Sequence, residues 1–323
     1  MPRLHPFRAF TFHSGTTALK DLIYIPGEDK APRVRTDLLW QDAEPALYVY
    51  RQSFRFPGDK ADSERLGVMG LLDRSAAGAI YPHEEVRRDR VLACERELQA
   101  GNTDPGSMWF WINDHAAPAL ETLLRTERPA DIATEDRLGT RHEIWRVTDT
   151  AAIGKIQQAL EGKELFLTDG HHRFAAGWNL ATIQIRTPAL RTRPVHWLII
   201  DDLPSFQAGA GADRVPLGLM LPGKELREVE IGSAELARIL SRVRTESVRS
   251  VEEARRAVDS GRAKIAIVRP EPSVDDIEAA ARKGIVLPPK STDFYPKLAA
   301  GLVMYRHQKE AVTPPVPQRP GVL

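Results

Sequence analysis

Short runs in which apolar and polar residues alternate, separated by Gly- and Pro-bearing turns, give the chain its first visible order. Ala46 to Phe56 alternates, Pro57-Gly58-Asp59 turns, and Arg65 to Leu72 is a second strand-like run, so a hairpin is predicted. Ser107 to Asn113, containing Trp109, Phe110 and Trp111, reads as a buried strand, and Arg141 to Val147 as an alternating one. Core packing is the better account of the two tryptophans than base stacking. Leu165 and Leu167 mark a short strand that ends at the turn pair Asp169-Gly170, and the Ala-rich stretch from Arg173 to about Ala181 predicts a helix. Val195 to Ile200 and Lys264 to Val268 read as strands. Helices are predicted from about Glu85 to Gln99, Ala116 to Leu124, Ala151 to Leu160 (capped by Thr148 or Asp149), Ala234 to Val243, Ser250 to Ser260 and Val274 to Lys283.

Between these runs the pattern lapses. In the first forty residues Pro26, Gly27 and Pro32 interrupt any long element, while Phe7, Phe10 and Phe12 offer anchors to a core. Gln207 to Gly223, rich in Gly, Ala and Pro, reads as a loop. From Ala311 on, Pro314, Pro315, Pro317 and Pro320 point to an extended tail. The mixture predicts an α/β fold of the α+β, mixed-sheet kind: a core over 1–206, an accessory α/β lobe over 207–283, a return segment at 284–310 and the tail at 311–323.

Composition narrows the function classes. A chain of 323 residues with 42% apolar content can bury a large core. With 45 Lys+Arg against 44 Asp+Glu, bulk charge calls for neither a nucleic-acid nor a membrane partner, and the oligomeric state is open. The single cysteine, Cys94, excludes an intrachain disulfide and a Cys-rich zinc site. No apolar run of membrane-spanning length follows the N-terminus, so a cytoplasmic location is expected.

The candidate chemistry centres on Asp169-Gly170-His171-His172-Arg173. A first helical turn offers amides to an anion, Gly170 lets the backbone approach without a Cβ, and Arg173 carries a planar fork of donors suited to phosphate oxygens. Phosphate capture is the chemistry suggested. A common turn with packed histidines, or a metal held by Asp169 and the two histidines, are the alternatives. Tyr81-Pro82-His83-Glu84 places an imidazole and a carboxylate at a predicted helix start, where they serve either as first-turn acidic dressing or as a general base or metal-holding pair. Lys290, Ser291 and Thr292, after Pro288-Pro289, are groups able to hold a phosphate or carboxylate, and could equally be a plain loop. Asp201-Asp202 reads as a strand-end turn before a metal pair, and His196 as a core histidine.

Leu167 to Ala176 resembles the "DGHHRY" segment of the bacterial and archaeal domain-of-unknown-function family 1015. That segment is similar to the phosphate-binding box of ParB partition proteins, sulfiredoxin and free-serine kinases. Leu4 to Phe10, Pro45 to Tyr50, Tyr81 to Glu84, Ile144 to Asp149 and Leu287 to Leu298 resemble the family's other blocks, in the family's order. Two blocks are missing: the relatives' "PPYD" has no match at Lys20 to Gly27, and their "LPTHR" is replaced by Arg214-Val215-Pro216-Leu217.

The resemblance implies a ParB/sulfiredoxin-like core and a nucleotide-binding phosphotransferase, such as a small-molecule kinase acting on a serine-like hydroxyl. Asp169, Gly170, His171, His172 and Arg173 would hold the phosphates of ATP, ADP or CTP with Mg²⁺. His83 or Glu84 would position or deprotonate the acceptor, with Asp169 orienting a histidine or touching Mg²⁺. Lys290, Ser291 and Thr292 would hold the substrate. Three alternatives stand beside it: a ParB-like nucleotide-gated binding module, a metal-assisted hydrolase using His83, Glu84, His171 and His172, and a divergent member without activity.

Overall fold

The computed structural model describes residues 3–13, 18–30, 34–74, 80–100, 103–104, 106–112, 118–201, 214–240 and 242–307. Asn113, Asp202, the first part of the 207–223 stretch and the Pro-rich tail lie outside them. The fold is mixed α/β. The chain divides into two compact units, one of residues 1–82, 86–190 and 296–323, the other of residues 83–85 and 191–295. The second unit thus takes up Val195 to Ile200 and the His83-Glu84 corner. Among the described residues no helix is long and apolar enough to cross a membrane.

The first unit is built on a nine-stranded sheet. Across it run Ile80–Tyr81, Leu165–Asp169, Met108–Ile112, Leu180–Ile185, Ser63–Asp73, Leu47–Phe54, Arg141–Val147 and Ile132–Glu135, with Arg3–His5 joining the end of Ser63–Asp73. The predicted hairpin is there, as Tyr48↔Met69 and Gln52↔Arg65. One face of the sheet is apolar. Leu47, Val49, Val68, Phe110, Leu167 and Ile183 pack with Leu120 and Leu124 of helix Pro118–Leu124 and with Ile153, Ile156 and Leu160 of helix Thr150–Leu160. Asp149 caps the latter, its carboxylate accepting from the Ala152 amide at 2.7 Å.

The other face is aromatic and polar. One cross-strand row runs Tyr48, Met69, Thr182, Trp109, Asp169, and a second runs Tyr50, Gly67, Gln184, Trp111, Phe166, Tyr81. Gly67 is required in that row: a Cβ there would meet Gln184 Cγ at 2.6 Å and the Ile183 carbonyl at 2.7 Å.

Three predicted elements change. The helix expected from Arg173 to Ala181 spans only His171–Ala175. Gly177, at φ +95°, closes it in a left-handed turn in which the Trp178 amide reaches Arg173 O and the Gly177 amide reaches Phe174 O, and the apolar Leu180–Ile185 then enters the middle of the sheet. The helix expected from Glu85 starts at Arg88, since Glu84 is extended in a parallel bridge to Leu287 and the Glu85 amide is bound to Leu287 O at 2.8 Å. Arg214–Met220, read as part of a loop, is a strand. Pro216 is tolerated because the second neighbouring strand, Ile265–Val268, begins pairing only at Gly218.

The second unit holds an antiparallel five-stranded sheet in the order Arg227–Gly232, Arg214–Met220, Ile265–Val268, His196–Ile199, Thr245–Val248. Trp197 and Ile199 meet Leu236 and Leu240 of helix Ser233–Leu240 on one face. Leu198 meets Ala254, Ala257 and Val258 of helix Val251–Asp259 on the other. Period-two strands between two amphipathic helices account for both cores.

Candidate functional site

Each unit carries one of the two polar clusters that the sequence singled out. In the first unit, strand Leu165–Asp169 ends in an irregularity. Leu167 pairs with Phe110 and Asp169 with Trp109, so one extra residue is accommodated at Thr168. Strict alternation would send Asp169 to the apolar face. Opposite Trp109 it instead stands on the polar one, since paired residues share a face. Gly170 follows at φ +95° and is closely approached, a Cβ there meeting Arg173 Nη2 at 3.2 Å and Met108 Cα at 3.3 Å. Only glycine takes that backbone without strain.

Two cations are brought to this carboxylate. Lys297 Nζ lies 3.3 Å from Asp169 Oδ1, and Arg173 Nη2 lies 3.8 Å from Asp169 Oδ2. Lys297 belongs to a stretch held against the polar face by central-strand side chains: Arg65 Nη2 donates to Pro296 O at 2.5 Å and Gln52 Nε2 to Lys297 O at 3.0 Å. The Tyr50 hydroxyl accepts from the Ala299 amide at 3.4 Å. Arg65 is itself buried, with its guanidinium 4.4 Å from the Trp109 ring centre. The other end of the Arg173 fork donates to Gly106 O, and its Nη1 lies 4.0 Å from the buried Asp104. Burial pushes the Asp104 carboxyl up to about 7, against the opposing pull of Arg173 and of the hydrogen bond from the Gly106 amide.

The two histidines separate. His171 is buried, whereas His172 is half-buried and its Nε2 accepts from the Arg87 amide at 3.1 Å, pinning the entry to helix Arg88–Gln99. An Nε2 that accepts leaves the ring hydrogen on Nδ1.

In the second unit, His83, Glu84, Lys290, Ser291 and Thr292 come together. The Glu84 carboxylate accepts from the Thr292 amide and hydroxyl, both at 2.8 Å, and from the Lys290 amide at 3.3 Å. Having given its one hydrogen to Glu84, the Thr292 hydroxyl accepts from His83 Nε2 at 3.0 Å. The Leu287 amide reaches His83 O at 2.8 Å, which fixes the two segments edge to edge. Arg269 donates to Ser291 O at 2.6 Å and stacks 4.8 Å from the Trp197 ring centre, and burial lowers its guanidinium to about 10. Lys290 is exposed and adopts φ +61°, in the left-handed region that disfavours a side chain.

Among the described residues no three His, Cys, Asp or Glu side chains stand as a metal-holding group. Sequence reasoning passed over Lys297, Asp104 and Gly106. Lys297 lay in the matched block Leu287 to Leu298, which was the one signal pointing to it. Asp104, in a two-residue strand, carries no pattern.

The fold is similar to that of several solved structures. A free serine kinase in complex with AMP shares 13% identity over 71% of this chain and 86% of its own, with a TM-score of 0.44. A variant of that kinase in complex with ADP gives 13% identity over 71% and 87%, with a TM-score of 0.43. A conserved hypothetical protein from Pyrococcus furiosus gives 12% over 75% and 95%, with a TM-score of 0.44. At these scores the likeness carries no argument. No curated protein matches the chain. A family model described as "Protein of unknown function (DUF1015)" matches residues 33–198, and the chain belongs to that family.

Proposed function

We propose that the chain is a nucleotide-binding phosphotransferase of the kinase type, with the Asp169–Arg173 turn as its phosphate-binding element. The observation that carries this reading is the convergence of Arg173 and Lys297 on one carboxylate beside a left-handed glycine. Arg173 matches phosphate oxygens with two parallel donors, and Lys297 adds a mobile point charge. An arriving phosphate competes with Asp169 for both cations, and the tight approach at Gly170 keeps the backbone within its reach. The helix of five residues adds only a small dipole, so the side-chain cations supply most of the attraction.

Resemblance of the Leu167 to Ala176 box to phosphate-binding boxes supports the same reading. The nucleotide is ATP or ADP, with CTP as the competing choice, and Mg²⁺ accompanies it. Asp169 is engaged by two cations, so Mg²⁺ would be held by nucleotide oxygens and water rather than by a cage of protein ligands. The acceptor is a small hydroxyl-bearing substrate of the serine type. Calorimetry with ATP, ADP and CTP in the presence of Mg²⁺ tests the reading. Saturable binding of one of them is expected, and no binding of any would overturn it. A screen of hydroxy and amino acids for phosphate transfer then names the acceptor.

A further inference from the structure

The phosphate-binding reading gives no work to Asp104, yet its carboxyl is 1% exposed and faces the same guanidinium from behind. Asp104 Oδ1 accepts from the Gly106 amide at 3.0 Å, the two-residue spacing of an Asx turn, and that turn presents the Gly106 carbonyl to Arg173 Nη1. Arg173 therefore spans two anionic neighbours, Asp104 through Gly106 on one side and Asp169 on the other. Space around the turn is tight: a Cβ on Gly106 would meet Ala300 Cβ at 3.2 Å and Arg173 Nη1 at 3.4 Å.

Resting on that reading, we propose that Asp104 is a proton-linked positioning residue, holding Arg173 through Gly106 and taking up a proton when a phosphate competes for the guanidinium.

The physical cause is the same whichever way Arg173 responds. If the guanidinium swings to the phosphate, Asp104 loses its nearest cation inside a desolvated site. If it stays, the phosphate adds negative charge nearby. Both disfavour the ionised carboxylate, so the proton affinity of Asp104 rises on binding. By linkage, protons and phosphate then bind with mutual assistance. The other titratable groups facing Asp104 do not oppose this. Tyr24 is raised by burial and by Asp104 itself, Cys94 is raised by burial and by Glu97 from helix Arg88–Gln99, and Glu97 pushes Asp104 further toward its neutral form. On the paired strand Tyr305–Arg306, burial raises Tyr305, and Arg306 is turned to Thr103 Oγ1 at 3.1 Å and to the Phe10 ring. With the free carboxyl already at about 7, the uptake falls near neutrality.

The test is ADP binding with Mg²⁺, measured calorimetrically between pH 6 and 8.5 in two buffers of different ionisation enthalpy, for the full chain and for Asp104→Asn. Asparagine keeps an oxygen for the Gly106 amide and removes the proton site. Wild type is expected to take up about half a proton per ADP near pH 7, and to lose about five- to tenfold more affinity than the variant between pH 6.5 and 8.5. Comparing the two proteins cancels the titration of the nucleotide. ADP binding with equal proton uptake by both proteins overturns the role of Asp104 and leaves the phosphate reading intact. No binding of ADP, ATP or CTP overturns that reading and this inference with it. Should the variant fail to fold, the wild-type proton count decides once the ionisation of ADP with Mg²⁺, measured without protein, is subtracted.

Discussion

The turn at Asp169 and the corner at His83 are equally dense in polar side chains but use them in opposite ways. At the corner, one carboxylate satisfies two amides and a hydroxyl, and the hydroxyl in turn satisfies an imidazole. Its donors are matched within the unit, as in a brace. At the turn, two long cationic side chains meet Asp169 at 3.3 and 3.8 Å, and Arg173 is shared with a second carboxylate whose ionisation is already costly. At those lengths an anion can outcompete Asp169 for both cations. Polar density alone thus does not separate binding from bracing. The distance and ownership of each hydrogen bond do.

The sharpest way to break the comparison is Arg173→Ala. It is expected to weaken ADP binding by at least about 100-fold, about 3 kcal/mol. Retained affinity, read by calorimetry, would remove the turn from the phosphate reading. Glu84→Ala should behave as its mirror image. It leaves the Thr292 amide and hydroxyl without their acceptor and costs about 2–3 kcal/mol in denaturant unfolding, with ADP affinity changed less than about threefold. A stable variant with lost nucleotide affinity would reverse the assignments of the two clusters.

Asp104→Asn sharpens the contrast through pH. The native carboxyl holds its proton up to about 7, whereas the unfolded one releases it in the ordinary carboxylate range. Between those two values the folded state binds the extra proton, so wild-type stability falls as pH rises through the window and is level above it. The variant has no such loss. Relative to wild type it should gain about 2–3 kcal/mol between pH 5 and pH 8 in chemical denaturation, and a constant difference across that range would show that Asp104 ionises normally. Lys297→Met should have the smallest effect, about five- to tenfold on ADP affinity, because one ammonium is removed while the Arg173 fork remains. An unchanged affinity would confine Lys297 to structure.

How much of this was legible beforehand follows from the range of the forces involved. The hairpin Leu47–Phe54 and Ser63–Asp73, strand Met108–Ile112 and the capped helix Thr150–Leu160 were readable because alternation, 3.6-residue periodicity and caps are local. The helix after the turn was overextended, since Ala175-Ala176 favours helix and nothing nearby announces that Gly177 will close it in favour of a central strand. Arg214–Met220 was missed because Pro216 reads as a breaker, and its tolerance depends on where a strand some fifty residues later starts to pair.

The sequence by itself determined the apolar stripes, the Asp-Gly turn with its trailing Arg173, and membership of the family, since each depends on residues close together or on blocks kept in order. Only the tertiary structure decided that Asp169 faces the polar side of the sheet, that Lys297 reaches it on a segment held by Arg65 and Gln52, and that Asp104 stands dry behind Arg173. A one-residue irregularity in strand register chooses a face, burial sets the cost of a charge, and both are properties of neighbours distant along the chain.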